Sequence, residues 1–236
     1  MGEAGEKCSK EYSLSREAQD EFARESYRRA LSAQKEGLFE AEIAAVEIAQ
    51  KKGDPLKVSA DEEPGKGDPS KFDKLRPAFA KDGTITAANA SSINDGASAL
   101  VLASEKAVKE QNLTPIARIV GYGGAAQAPD WFTTAPSKAI DATLTKLGMK
   151  KEQIDLWEIN EAFSCVTMAC SKISGLDPAK VNVRGGAVAL GHPIGASGAR
   201  ILTTLLFAMR DHKVSRGLAT LCIGGGEAVA VVVERV

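Results

Sequence analysis

The stretch from Gly185 to Arg200, Gly-Gly-Ala-Val-Ala-Leu-Gly-His-Pro-Ile-Gly-Ala-Ser-Gly-Ala-Arg, constrains this chain more than any other. Five glycines and one proline surround His192, one of only two histidines in the sequence. Glycine lets backbone approach a ligand or a neighbouring strand closely, and proline fixes one dihedral. The run that follows, Ile201 to Met209, carries a helical apolar stripe, and Ser197 reads as its N-cap. A tight loop feeding such a helix aims an imidazole and several backbone N–H groups into one small space. Alone, the same stretch also reads as a turn before a core helix, with His192 an ordinary loop residue.

The residues around it set the fold class. Ile116–Tyr122 is β-rich, Ala135–Leu147 is an amphipathic helix ended by Gly148, and Ile154–Ile159 is a second strand. A helix over Phe163–Ile173, a strand over Val181–Val183 and the Gly-rich loop with its helix come next. Strands over Gly217–Ile223 and Val229–Val233 close the chain. Strand–helix alternation ending in an apolar strand pair describes an α/β layered sheet with covering helices. Residues 113–236 read as one complete unit of this kind.

Residues 1–112 do not. Ser15 caps a helix running to Gly37, Ser59–Lys71 is loop chemistry, and Asp82-Gly83 turns into a short strand at Thr84–Thr86. Ser98–Ala103 reads as an apolar strand, and Ser104 caps a helix ending near Gln111-Asn112. Lys66, Lys71, Lys74 and Arg76 are either solvated charges or contacts for an anionic ligand.

Net charge is −1, which leaves no basic footprint for nucleic acid. No run of about 18 apolar residues suggests a membrane span. Cys8, Cys165, Cys170 and Cys222 are scattered in a way that suits free thiols in a reducing compartment, so the expected location is the cytoplasm. An organellar signal in sequence upstream of Met1 stays open. Cys165 and Cys170 fall on different faces of one helix without a histidine ligand, so no metal site is expected.

Three loops lie where strands end, the edge at which open α/β sheets bind ligands. They are Asn160-Glu-Ala-Phe163, Gly191-His-Pro193 and Cys222-Ile-Gly-Gly-Gly226. Individually, Asn160 reads as a helix N-cap, Cys222 as a buried thiol and the glycines as a β-turn. Together they supply an amide, an imidazole, a thiol and free N–H groups, the parts for deprotonation beside a carbonyl and for holding an oxyanion.

These three motifs, in this order and spacing, resemble the thiolase family, the acetyl-CoA acetyltransferases and 3-ketoacyl-CoA thiolases. Thr86-Ala-Ala-Asn-Ala-Ser, Asn94-Asp-Gly-Ala and the N-terminal Ser-Arg-Glu-Ala-Gln-Asp-Glu-Phe extend the resemblance over essentially the whole chain. It implies a layered α/β fold in which helices pack on mixed five-stranded sheets, with one core half complete and the other mostly missing. Residues 1–93 would be a partial loop domain, 94–112 the last strand and helix of the first half, and 113–236 the C-terminal domain.

The implied activity is acyl transfer between an acyl-enzyme and acetyl-CoA, by Claisen condensation or by thiolysis of a 3-ketoacyl-CoA. His192 would activate the nucleophilic cysteine and, with a water held by Asn160, form an oxyanion hole. Cys222 would exchange the α-proton, and the Gly224 N–H would serve a second oxyanion hole. Ala87, Ser91, Phe132 and Phe163 would line the pantetheine tunnel. The implied substrate is a coenzyme A thioester, with no cofactor bound permanently. The implied partners are acyl-CoA or coenzyme A, and either further copies of the chain in a homo-oligomer or a complementing N-terminal thiolase segment.

One departure stands out. The family's acyl-accepting cysteine lies in a Cys-(Ala/Gly)-Ser-Gly context, and none of the four cysteines has it; Cys8 is followed by Ser9 and Lys10. Arg184 also stands where a smaller or neutral residue is expected. A second reading is therefore a thiolase-fold protein without catalytic activity, serving as a coenzyme A-binding or assembly module. A ketoacyl synthase, which shares the fold, would carry a histidine where Asn160 stands. A hydrolase built on Cys222 and His192 is the remaining alternative.

Overall fold

A computed structural model describes residues 1–236. Helix α1 (Gly2–Glu11) has no counterpart in the sequence reading, because its buried face is made of Gly2, Gly5, Cys8 and Ser9 instead of an apolar stripe. The Glu6 carboxylate accepts hydrogen bonds from Thr84 N and Ile85 N, and the Asn89 side chain accepts from Thr86 N. Thr84–Thr86 is therefore not a strand, since side chains take the donors a ladder would need.

Helix α2 (Arg16–Lys35) starts where Ser15 Oγ accepts from Ala18 N at 3.2 Å. It buries Ala23, Tyr27, Ala30 and Ala33, which recur at helical spacing. A two-stranded ribbon, β1 (Val46–Ile48) and β2 (Leu56–Val58), follows, then the short helices α3 (Glu63–Lys66) and α4 (Glu105–Glu110). Ser104 caps α4 as expected, accepting from Ala107 N at 3.1 Å. Ser98–Ala103 is not a strand. Val101 and Leu102 are 93% and 74% exposed, and no neighbouring strand offers pairing partners.

The remaining elements are β3 (Ala117–Ala126), α5 (Ala135–Leu147), β4 (Leu156–Ile159), α6 (Ser164–Ser174), α7 (Ala187–Leu190), α8 (Ser197–Asp211), β5 (Arg216–Cys222) and β6 (Glu227–Arg235). Their strands form one mixed sheet in the order β3-β6-β5-β4, antiparallel except for the parallel β5/β4 pair. The sheet has four strands where five were expected. At the fifth position Val181 makes a single parallel bridge to Trp157. Asn182 then turns left-handed at φ 48°, and its side chain takes over the ladder, accepting from Ile159 N and donating to Ile159 O at 2.8 Å each.

Alternation along the strands explains the layers. Trp157, Leu218, Ala230 and Val232 face α5 and α6, whose Ile140, Leu144, Val166 and Cys170 complete that core. Leu156, Ala219 and Val233 face the other way, onto Ile201, Leu205, Ala208 and Met209 of α8. Gly217 allows the approach, since a Cβ there would lie 2.6 Å from the Met209 sulfur. Helix α2 covers α7 through Ala23, Tyr27 and Ala30 against Val188, Ala189 and Leu190. The α8 core therefore fixes where the His192 loop ends, and α2 braces α7, from which the loop starts.

Candidate active site

Strand β4 ends by handing its ladder to Asn160, whose N–H donates to the Thr220 carbonyl at 3.1 Å. Asn160 is not a helix cap, because α6 begins at Ser164. Its side chain points instead to the second loop, where Asn160 Nδ2 lies 3.3 Å from His192 Nε2. The next residue, Glu161, is buried and fastens the scaffold. It accepts from Ser26 Oγ at 2.7 Å, from Asn182 Nδ2 at 2.9 Å and from Val188 N at 3.1 Å. Burial raises its carboxyl above the ordinary value while those three donors oppose the shift.

His192 sits between α7 and α8. Gly191 before it has φ 89°, and a Cβ there would lie 2.2 Å from Asn94 Oδ1, so only glycine fits. The His192 N–H donates to the Ser92 carbonyl at 2.9 Å, and Ile93 forms a parallel bridge with His192. Its Nδ1 lies 2.6 Å from Ser197 Oγ. Burial, and secondarily the charge of Arg200, lowers the imidazole pKa below its ordinary value, which keeps the ring neutral near pH 7.

Cys222 ends β5, two residues beyond the Thr220 that anchors Asn160. Burial pushes its thiol up to about 12, so it rests protonated. The turn after it is closed by Ile223 N donating to Glu227 O at 2.7 Å and Gly226 N to Ile223 O at 3.0 Å. Gly224 is exposed on that turn, and its N–H donates to no protein acceptor.

The segment before Asn94 threads between these loops. Ala90 bridges Phe163, and Ser91 donates to the Ala162 carbonyl through both N and Oγ, at 3.2 and 2.9 Å. An open cavity of about 380 Å3 lies beside His192, lined by residues 94–98 and 193–196 with Ala199. A larger groove of about 770 Å3 lies elsewhere, between α2 and α6, with Phe22, Met168 and Leu176 in its wall.

The structure corrects several expectations. Ser197 is not the cap of α8; that position belongs to Ala196, and the hydroxyl is engaged by His192. Phe132 does not line an accessible tunnel, because a 3-10 turn over Pro129–Thr134 buries it completely in the α5–α6 core. Phe163 is 8% exposed and stands edge-to-face with Phe79 at 6.0 Å. Ala87 is exposed and Ser91 half-buried. Lys66 and Lys71 lie at the surface and pair with Glu63 and Asp68 at 2.7 Å each. Arg184 is accommodated inside, donating to the Leu38 carbonyl at 2.8 Å and pairing with Asp211. Sequence reasoning missed Ser197 as a site residue, and the available signal was its place five residues after His192 across a proline-started turn.

Comparison with known proteins gives the same family from both ends of the chain. Residues 113–235 match the family described as "Thiolase, C-terminal domain" and residues 1–106 the one described as "Thiolase, N-terminal domain". An acetyl-CoA acetyltransferase of Schizosaccharomyces pombe is 50% identical over 237 residues, covering 100% of this chain and 60% of its own length. The crystal structure of the Bacillus anthracis acetyl-CoA acetyltransferase superimposes with a TM-score of 0.96 at 43% identity, covering 100% of this chain and 60% of that one. A thiolase from Ascaris suum, solved in complex with coenzyme A, gives a TM-score of 0.91 at 45% identity with the same coverage. The chain thus spans about 60% of the length of these relatives. With family matches along nearly all of its sequence, the chain belongs to the thiolase family.

Proposed function

We propose that this chain carries the acid/base and oxyanion-hole half of an acyl-CoA C-acetyltransferase site, acting on acetyl-CoA and 3-ketoacyl-CoA by Claisen condensation or thiolysis. The observation that carries the proposal is the His192–Asn160 contact at 3.3 Å, with Cys222 ending the strand next to the one that delivers Asn160. In this reading residues 1–93 belong to the loop domain, 94–112 to the end of the first half and 113–236 to the C-terminal half.

The roles follow from the chemistry of each group. His192 rests neutral and half-buried, fit to take a proton from a nucleophilic thiol and then to donate toward a thioester oxygen beside the Asn160 amide. Cys222 rests as a thiol, fit to protonate a leaving thiolate; the thiolate it becomes then removes the α-proton of acetyl-CoA. The free N–H of Gly224 supports a second oxyanion hole. Ser91 and Ala87, with Phe163, are the contacts proposed for pantetheine. The thioester supplies the acyl activation, so the substrate is a coenzyme A thioester with no permanently bound cofactor.

The acyl-accepting cysteine remains to be supplied. Cys8, Cys165 and Cys170 have no exposed surface. That observation favours a second reading, a coenzyme A-binding or assembly module without turnover. For partners we propose coenzyme A thioesters together with a homo-oligomer or a complementing thiolase segment, and for location the cytoplasm, in keeping with four free thiols.

The test is acetyl exchange between acetyl-CoA and labelled coenzyme A, with and without a segment bearing Cys-(Ala/Gly)-Ser-Gly, and His192→Ala as the blank. Exchange that depends on both the segment and His192 supports the enzyme. Calorimetric binding of coenzyme A with no exchange under either condition supports the module.

A further inference from the structure

Two serines in this chain do what a serine at a helix start ordinarily does. Ser15 Oγ accepts from Ala18 N and Ser104 Oγ accepts from Ala107 N. Ser197 does not. It is fully buried, it is the first residue of α8 and not its cap, and its hydroxyl accepts no backbone N–H. Its two neighbours are His192 Nδ1 at 2.6 Å and the Pro193 carbonyl at 3.1 Å.

A hydroxyl has one proton to give, and the Pro193 carbonyl can only accept. If the proton goes to Pro193 O, the Ser197 lone pairs are free to accept from Nδ1–H, and every contact is a donor facing an acceptor. If it goes to Nδ1, the Ser197 and Pro193 oxygens face each other with no proton between them. The other side of the ring points the same way. The Asn160 Nδ2 donors, 3.3 Å from Nε2, match a lone pair there; because the amide can turn over, the tautomer is decided on the Ser197 side. The Nε2–H tautomer would set acceptor against acceptor at Pro193. Ser197 is fully buried, so solvent does not relieve that mismatch.

We infer that Ser197 is the positioning residue that holds His192 as its Nδ1–H tautomer and keeps the Nε2 lone pair directed at Asn160. The inference deepens the proposed role of His192 as base and rests on it for its catalytic consequence; the tautomer itself stands on geometry alone. With the lone pair already on Nε2, a substrate-side thiol can give up its S–H bond and form an N–H bond at Nε2 in one step. The sulfur is left as thiolate and the ring as imidazolium, with Nδ1–H still donating to Ser197. The hydroxyl meets the ring because the turn between them is fixed independently. Pro193 O also accepts from Ala196 N at 2.7 Å and from Ser197 N at 2.9 Å, which brings the start of α8 back under the imidazole.

Nitrogen-15 NMR of the whole chain with labelled histidine reads the tautomer directly, at a pH where the ring is neutral. The only other histidine is His212, exposed at the end of α8, and His212→Gln assigns the signals. The expected result is a protonated-type shift at Nδ1 and a lone-pair-type shift at Nε2, lost toward a mixture in Ser197→Ala and kept in Ser197→Thr. A wild-type spectrum of the opposite tautomer overturns the inference, as does an unchanged spectrum in a folded Ser197→Ala variant. Should that variant fail to fold, the wild-type spectrum alone decides. In the complemented exchange assay Ser197→Ala should lower kcat by roughly 10- to 100-fold with KM little changed, less than the ~10⁴ lost when the triad aspartate of a serine protease no longer holds its histidine tautomer, and Ser197→Thr should restore part of it. Absence of exchange in every variant, with the expected NMR result, removes the base assignment and leaves the tautomer standing.

Discussion

Strand β4, after residue 113, and the extended segments before it treat apolar side chains in opposite ways. Every residue of β4 is buried, and its Leu156 and Trp157 enter cores on opposite faces of one sheet. Before residue 113, the β1 strand is exposed along its whole length, and Ile93, Val101 and Leu102 are 81%, 93% and 74% exposed. Both stretches contain β-branched and apolar runs, so composition does not separate them. What separates them is whether a neighbouring strand and a covering helix exist within the chain. Where they do, alternation becomes a layered core; where they do not, the segment keeps to the surface. Yet the first stretch is no bystander, because Ser92 and Asn94 hold the His192 backbone and Ser26 holds Glu161.

The sharpest way to break this comparison is to remove a core side chain beneath the site. Leu205 of α8 has no exposed surface, and Leu205→Ala should cost about 2–5 kcal/mol by urea denaturation. Gly191→Ala probes the junction of the two stretches. It forces an L side chain to φ 89° against Asn94, at a cost of about 1–3 kcal/mol, and should also displace His192 and reduce exchange activity.

A smaller effect concerns pH. Burial pushes the Glu158 carboxyl, on the α8 face of the sheet, up to about 8, and that of Glu42 up to about 7, both from 4.5. A raised acid binds more protons folded than unfolded. Its stabilising contribution is complete below the unfolded value and is lost as pH rises through the folded one. His192 acts in reverse: its pKa is lowered, so its contribution is complete above the ordinary histidine value and is lost on acidification. The urea midpoint should therefore fall from mildly acidic pH to above pH 8, and Glu158→Gln should flatten that decline. A midpoint that rises over the same range would show that the buried carboxyls do not govern it.

The smallest expected effect lies before residue 113. Val101→Ser with Leu102→Ser should change stability by no more than about 0.5 kcal/mol per substitution, since neither side chain leaves a packed environment. Self-association measured by sedimentation should weaken at the same time. A loss comparable to that of Leu205→Ala would mean the two stretches are not different after all.

The α/β class and most elements after residue 113 were legible because strand alternation, helical spacing and stop signals agree there. Gly148, expected to end α5, does so with φ 62°. Helix α1 was not legible, because Gly2 and Gly5 leave no hydrophobic period; the bulk they lack is supplied by Phe79 and Ile85, which occupy the places of their missing Cβ atoms. The fifth strand was overread because Val-Asn-Val shows β-propensity, while Asn182 uses its own amide in place of a ladder. At the site, Asn160 and His192 were legible as motifs and do touch. Ser197 was misread for a physical reason: a serine opening a helix has the same sequence signature whether its hydroxyl caps a backbone N–H or turns to a ring nitrogen. Phe132 came with the resemblance alone, and no local signal foretold its burial in the α5–α6 core.

The central claim is that His192 and Cys222 form the acid/base half of one acyl-transfer site. The most direct measurement is acetoacetyl-CoA thiolysis by the chain supplemented with a segment carrying the acyl-accepting cysteine, in wild type, His192→Ala and Cys222→Ala. The account predicts turnover in the wild type and its loss, by at least about 10²-fold, in each variant. Full turnover in either variant, or none in the supplemented wild type, would contradict it.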